Sequence, residues 1–567
     1  MCMTQRTHLL AHAPTGLGKT AVALTAAVET ALASGGVVLF LTSRQAQHAI
    51  AIETLRGIWK KSRIGVVDLI AREDMCLALR EGRRAPCAEG RQCFFSRDPE
   101  GSQSLLLDYP LHTQEGMRLC LRAGLCPHRV ALRAAAEATV IVGDYNQMFG
   151  RGPNLLQRLG RREGEAIVIV DEAHNLPARV MDGGSGSLTA AAIQRARASP
   201  SLKHFAEDLD LLGDIFSRMA RSRPEQIRAE DLDGPLKLAC GVDVGGLAEE
   251  IEAASRGAEL GGLVDFLYAW NAPKETTVRY IDGDPARLVV SLIDPSPVTA
   301  PVLARVRCAL IMSGTLHPPE MFAEVLGAEG ALCRRYPSPF PPENRLVLAS
   351  GGVSSRFRLR TPAMYGSVAR EVARCADNVP GNVAVFFPSY DFLGKVEKLL
   401  EPTVRDRRLV VERREHGKNE RDAVLCQLRE GRNLLLGAIG GSLSEGVDYR
   451  DNLLSMVIVV GLPLSPPSRE MDGMLDRMEK RFGPRKANLY VQVYPAVSKV
   501  LQAAGRAIRS EKDRAAVMLL DDRYLLSAVR ASFPDDFEIE RAGDIEQRLA
   551  EFFSPPMERE REEDGTA

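Results

Sequence analysis

Residues 7–36 read THLLAHAPTGLGKTAVALTAAVETALASGG. An apolar strand runs into Ala13-Pro14-Thr15-Gly16-Leu17-Gly18-Lys19-Thr20. A helix of alanine, valine and leucine follows and stops at Gly35-Gly36. Strand, glycine loop and helix in this order make a P-loop, with Ala13 where the general pattern has its first glycine. Glycines let successive backbone N–H groups curl around phosphate oxygens, and the helix N-terminus adds its positive dipole end. Lys19 is then placed to bridge the terminal phosphates, and the Thr20 hydroxyl to hold Mg²⁺.

A P-loop needs a carboxylate partner on a neighbouring strand. Residues 165–177, EAIVIVDEAHNLP, supply one. The five apolar residues Ala166 to Val170 predict a fully buried parallel strand. Asp171-Glu172-Ala173-His174 stand at its carboxyl end, the edge where open α/β sheets bind ligands. Asp171 is placed to hold Mg²⁺ through water. Glu172 is placed to orient and deprotonate an attacking water.

The totals constrain the rest. At 567 residues, more than one domain is expected, and 45% hydrophobic residues can fill several cores. Lys plus Arg is 73 and Asp plus Glu is 74, so any basic surface for a nucleic acid must be local. No apolar run has the length of a membrane span and the first ten residues hold no signal-peptide core, so no membrane partner and a cytoplasmic location are expected. Of 11 cysteines, six are scattered singly and read as small buried hydrophobes. Cys76, Cys87, Cys93, Cys120 and Cys126 cluster, and in a reducing compartment metal binding is the better reading than disulfides. Four thiolates can hold an iron–sulfur cluster or zinc. The paired Cys-x-x-Cys knuckles usual for zinc do not occur here.

Asp-Glu-Ala-His after a P-loop resembles superfamily 2 helicases, and further stretches agree in order. VVLFLTSRQAQHA (37–49) is similar to motif Ia, CALIMSGTL (308–316) to motif III with Ser313-Gly314-Thr315, and NVAVFFPSYDFL (382–393) to motif IV. NLLLGAIGGSLSEGVDY (433–449) is similar to motif V, with Gly446 and Asp448. VLQAAGRAIRSEKDRAAVMLLDDRY (500–524) is similar to motif VI. On a helix, Gln502, Arg506 and Arg509 would share one face at spacings of four and three. Two arginines aimed at a γ-phosphate stabilise its developing charge. Alone such a helix is a solvated charged face; with the other motifs it reads as facing nucleotide.

Within superfamily 2 the chain resembles the XPD-like iron–sulfur DNA helicases, a group that includes the bacterial DinG proteins. The marks are the cysteine-rich insertion between motifs Ia and II and CPHRVALRAAAEATVIVGDYNQMF (126–149), with Cys126-Pro127 and Asp144-Tyr145-Asn146. The resemblance spans almost the whole chain. It implies an α/β protein with two RecA-like P-loop motor lobes, and an iron–sulfur insertion and a mainly helical arch insertion in lobe one. It implies Cys76, Cys87, Cys93 and Cys126 as ligands of a 4Fe–4S cluster, leaving Cys120 spare. Arg80, Arg83, Arg84, Arg91 and Arg97 would offer local positive charge, shared with Glu81, Glu89 and Asp98.

The expected organisation is motor lobe one at 1–56, 131–186 and 300–330, with the cluster insertion at 57–130 and the arch at 187–299. MDGGSGSL (181–188) would introduce the arch as a flexible junction, and VRYIDGDPARLVVSLID (278–294) would close it as a hairpin turning near Asp282-Gly283. Motor lobe two takes 331–550, and 551–567 is a charged disordered tail. Relatives carry an upstream glutamine and arginine that recognise adenine. Only 12 residues precede Ala13, so that segment is expected to be missing or barely begun, and no adenine contact is assigned.

The function implied is an ATP-dependent DNA helicase moving 5′ to 3′ on single-stranded DNA and unwinding duplex in repair, with ATP, Mg²⁺ and the cluster as cofactors. Forked DNA is the expected partner and a monomer the expected state. Alternatives are a DEAH-type RNA helicase, and a redox-sensitive nucleic-acid-binding switch without productive unwinding.

Overall fold

The computed structural model describes residues 2–81, 101–255, 260–404, 406–415, 418–445, 447, 449 and 452–554. Cys87, Cys93, the arginines at 83, 84, 91 and 97, Gly446, Asp448 and most of the 551–567 tail lie outside the described residues. The chain forms two compact units. One comprises residues 1–13, 18–336 and 466–491, the other 14–17, 337–465 and 492–567.

The first unit is built on a parallel sheet. Its strands are β1 (Leu9–His12), β2 (Val37–Thr42), β3 (Val66–Leu69), β4 (Val140–Asp144), β5 (Ala166–Val170), β9 (Cys308–Ser313) and β10 (Leu332–Arg335). They run in the order β10-β1-β9-β5-β2-β4-β3, and every pair is parallel. Strands β2 and β5 are buried at every residue, as unbroken apolar runs sheathed by helices must be. Helices Lys19–Ser34 and Gln45–Trp59 cover one face. Their Leu24, Ala27, Val28, Ala51, Ile52 and Leu55 meet Val38, Phe40, Ile167 and Ile169 in one core. Because β9 lies between β1 and β5, the loops that follow these three strands emerge side by side.

A helical body with its own core follows β5 in sequence. It holds helices Ala190–Ala198, Ala206–Ser222, Glu230–Cys240, Val244–Ser255 and Gly261–Trp270. An antiparallel sheet closes it, with strands β6 (Gly186–Thr189), β7 (Thr277–Asp282) and β8 (Arg287–Leu292) in the order β6-β8-β7. The expected hairpin is present, turning over 283–286. The expected flexible junction is not. Residues 181–184 end helix Leu176–Gly184, and Gly186 opens β6. A Cβ on Gly186 would stand 2.6 Å from the Phe266 backbone, so this glycine allows close packing rather than slack.

Helix Arg469–Phe482 also belongs to this unit. Arg477 Nε donates to Asp294 Oδ2 at 2.7 Å and Arg481 Nη1 to Asp294 Oδ1 at 2.8 Å, around a carboxylate that is fully buried. The Tyr280 hydroxyl donates to Glu470, and Lys486 and Tyr490 converge on Glu324.

The second unit is a second parallel sheet. Its strands are β11 (Arg345–Ser350), β12 (Val383–Phe387), β13 (Arg408–Val411), β14 (Asn433–Ala438), β15 (Met456–Val460), β16 (Ala515–Leu520) and β17 (Glu540–Arg541), in the order β13-β14-β12-β15-β16-β11-β17. Alternation sends Val383, Val385, Ile458 and Met518 into one core and Ala384, Phe386, Val459 and Val517 into the other, one on each face. No helix among the described residues is long and apolar enough to cross a membrane.

Candidate functional site

At the end of β1 the Ala13 N–H donates to the Ser313 carbonyl at 3.0 Å, tying the start of the P-loop to β9. Gly16 (φ +91°) and Gly18 (φ +67°) take left-handed backbone that side-chain-bearing residues avoid, and so turn the chain through Pro14-Thr15-Gly16-Leu17. Gly18 is the N-cap of helix Lys19–Ser34, and the Val22 N–H donates to its carbonyl at 3.1 Å. The first amides of this helix have no earlier helical carbonyl to bond, which leaves an anion-binding end.

Thr20 Oγ1 donates to Asp171 Oδ2 at 3.5 Å, so the two groups assigned to Mg²⁺ already face each other. Asp171 is 8% exposed. Burial, then the neighbouring Glu172 charge, raise its carboxyl to about 6, while Lys19 and the Thr20 hydroxyl pull against that rise. A divalent cation would relieve this crowding of negative charge.

Glu172 holds φ +49°, a left-handed conformation strained for a residue with a Cβ. Two contacts fix it. Its own N–H donates to Asp171 Oδ1 at 2.9 Å, and the Tyr145 hydroxyl donates to the carbonyls of Asp171 (2.5 Å) and Glu172 (2.8 Å). Burial, then Glu172 and Asp171, push the Tyr145 phenol well above its ordinary value, so it stays a donor. The Ser313 hydroxyl donates to Glu172 Oε2 at 3.1 Å, lies 2.7 Å from His174 Nδ1, and accepts from the Thr315 N–H at 3.2 Å. Through Ser313, β9 thus reads both the expected catalytic carboxylate and the histidine two residues on. The sequence named Ser313 as part of motif III but not its partners. Tyr145 it quoted without a role, because the contact spans 26 residues.

A second buried cluster joins motif Ia to the cysteine-rich region. His48 Nδ1 lies 2.6 Å from Asp68 Oδ1, and its Nε2 lies 3.6 Å from Asp144 Oδ1. Asp68 Oδ2 also accepts from the Thr113 N–H at 2.9 Å. Burial lowers the His48 pKa, but Asp144 and Asp68 outweigh it and raise the ring to about 9.

Cys76 caps the short helix Leu77–Arg80, and Cys126 caps helix Pro127–Glu137 with its carbonyl accepting from Val130. Their chain neighbours Met75 and Pro127 line one small cavity, which brings the two segments together. Cys120 is fully buried; burial, then Cys126, raise its thiol to about 11. Among the described residues no metal-holding group of three forms, and Cys87 and Cys93 lie outside them.

In the second unit the motif VI helix is shorter than expected. Helix Tyr494–Ala504 carries Gln502 on its last turn and ends at Gly505, so Arg506 and Arg509 stand beyond it. Side chains bond the backbone there in place of helical bonds. Arg506 donates to the carbonyls of Ser444 (Nε, 2.8 Å) and Val447 (Nη1, 2.6 Å) in motif V, and Asp513 Oδ2 accepts from the Arg509 and Ser510 N–H groups. Buried Glu412 orders the start of motif V. It accepts from the Ala438 N–H, the Ser442 hydroxyl and the Leu443 N–H.

Comparison with known proteins finds similar families and relatives. A family model described as DEAD_2 matches residues 46–193, and one described as a helicase C-terminal domain matches 372–539. The chain is 24% identical to ATP-dependent DNA helicase chl1 of Neosartorya fischeri over 536 residues, covering 77% of this chain and 61% of that relative. The chain thus spans about three fifths of that relative's length. It is 23% identical to ATP-dependent DNA helicase XPD of Sulfolobus acidocaldarius over 534 residues, covering 90% and 92%. A solved structure described as XPD helicase superposes with a TM-score of 0.66 at 20% identity, covering 95% of this chain and 97% of the other. The two sheets therefore share the RecA-like fold of the XPD structures, and the two family models and the relatives make the chain similar to the XPD-like superfamily 2 DNA helicases.

Proposed function

We propose that this protein is an ATP-driven motor that moves 5′ to 3′ on single-stranded DNA and unwinds forked duplex, in DNA repair. The observation that carries the reading is the position of Ser313. Its carbonyl takes the P-loop's first amide while its hydroxyl takes Glu172 and lies on His174. A single strand end is therefore connected to phosphate binding and to hydrolysis. The relatives are named DNA helicases, which favours DNA over RNA.

In this reading the N-terminal amides of helix Lys19–Ser34 and the Lys19 ammonium hold the ATP phosphates. Thr20 and Asp171 hold Mg²⁺, which neutralises charge on the phosphate oxygens when bound. Glu172 accepts a proton from the attacking water, its strained backbone clamped by Tyr145. Gln502, Arg506 and Arg509, with Gly446 and Asp448, are assigned to the nucleotide from lobe two. Cys76, Cys87, Cys93 and Cys126 are assigned to a 4Fe–4S cluster that braces residues 57–130. The arch is assigned to 187–299. We assign the protein as a cytoplasmic monomer.

Glu172→Gln keeps size and hydrogen bonding but removes the base. It is expected to bind ATP like wild type while single-strand-stimulated hydrolysis falls about 100-fold or more. Hydrolysis within a few-fold of wild type would overturn the assignment, and stimulation by RNA but not DNA would favour the RNA reading.

A further inference from the structure

The loop after β11 presents a segment that the nucleotide site does not use. Arg356-Phe357-Arg358-Leu359 are all exposed, and Phe357 is 83% exposed, the most exposed aromatic side chain among the described residues. A lone exposed leucine needs no explanation. A phenyl ring held in water by a fixed loop does. The loop is fixed at both ends. On one side the Ser355 N–H and hydroxyl both donate to Asp521 Oδ2 at 2.8 Å, and Arg523 Nη2 donates to the Ser355 hydroxyl at 2.7 Å. Asp521 itself is fully buried. On the other, the Thr361 hydroxyl caps helix Pro362–Asp377 by accepting from the Met364 N–H.

Between these anchors, Arg360 sits 5.6 Å from the Phe357 ring centroid and 5.5 Å from that of buried Phe392. The guanidinium thus ties the exposed ring to the core. Among the described residues Arg356 pairs with the half-exposed Asp522, at 3.5 Å. Aromatic surface interleaved with guanidinium groups is the chemistry of single-stranded nucleic-acid binding, in which bases stack on rings and arginines take phosphates. The loop also leaves the carboxyl edge of its sheet, where α/β folds bind ligands.

We propose that Arg356–Arg360 is a single-strand DNA docking surface, with one base stacked on Phe357 and adjacent phosphates held by Arg356 and Arg358. This rests on the DNA-motor reading above and adds a specific contact to it. Three guanidinium groups within five residues match a polyanion, and the ring selects one that carries bases over an acidic polypeptide.

The test uses full-length protein, a fluorescent oligo-dT strand and anisotropy at several salt concentrations. Phe357→Ala is expected to weaken binding by about 5-fold to about 100-fold, the range for losing one stacked base, and Phe357→Trp to restore it. Arg358→Ala is expected to lower the slope of log affinity against log salt by about 0.7. Because Phe357 is so exposed, the thermal midpoint of these variants should match wild type. Unchanged affinity in Phe357→Ala, with wild type binding DNA, would overturn this surface alone. A wild type that binds no DNA would overturn the motor reading and this surface together. Equal competition by polyaspartate at matched charge would reject base stacking and assign the patch to an acidic protein segment.

Discussion

Replacing His48 by glutamine should change how stability depends on pH, in one calculable direction. The ring is buried between Asp68 Oδ1 at 2.6 Å and Asp144 Oδ1 at 3.6 Å. Its pKa rises from the ordinary 6.5 to about 9 because the two carboxylates outweigh the cost of burial. A group whose folded pKa lies above its unfolded one stabilises fully below 6.5 and loses that contribution as pH rises through about 9. At about 1.4 kcal/mol per pH unit, the interval is worth at most about 3 kcal/mol. The assay is thermal unfolding of wild type and His48→Gln between pH 6 and pH 10. Wild type is expected to be more stable at pH 6, by roughly 5 °C for a unit of this size, and the gap should close by pH 10. Two curves that run parallel across the range would refute the argument, because they would mean that His48 is neutral and acts by packing alone.

Ser313→Ala removes the group between Glu172 and His174 and should leave ATP binding intact, while hydrolysis falls by about tenfold and strand displacement per ATP falls further. Unchanged rates of both would sink the coupling role. Asp294→Ala leaves Arg477 and Arg481 without their shared buried carboxylate and should cost about 3 kcal/mol, read as a lower thermal midpoint with a milder effect in Asp294→Asn. A midpoint equal to wild type in the alanine variant would contradict it. In protein purified without oxygen, Cys126→Ser should lose iron and brown colour, whereas Cys120→Ser should keep both. The reverse pattern would exchange the two cysteines in the ligand set.

The strand, loop and helix of the P-loop and the motor sheets were legible because their signals are local. The strand, loop and helix of residues 7–36 stand in sequence as they stand in space. Strands β5, β12, β14, β15 and β16 are apolar runs that only a doubly covered sheet accommodates. Motif VI misled for a physical reason. The spacing of Gln502, Arg506 and Arg509 suits a helix face, but the pull of Arg506 toward the motif V carbonyls ends the helix at Ala504. Nothing near position 506 in sequence announces carbonyls about 60 residues away. The glycines of residues 181–188 misled similarly, since close packing and slack call for the same residue. The roles of His48 and Tyr145 were not legible because they depend on contacts across strands, such as the parallel register that pairs Thr42 with Asp144.

The most direct test of the motor reading is strand displacement by full-length protein purified without oxygen, given ATP and Mg²⁺, on two forked substrates that differ only in the polarity of the single-stranded tail. Unwinding from the 5′ tail, absent in Glu172→Gln, is the predicted result. Unwinding only from the 3′ tail, or none from either while DNA still binds, would contradict it.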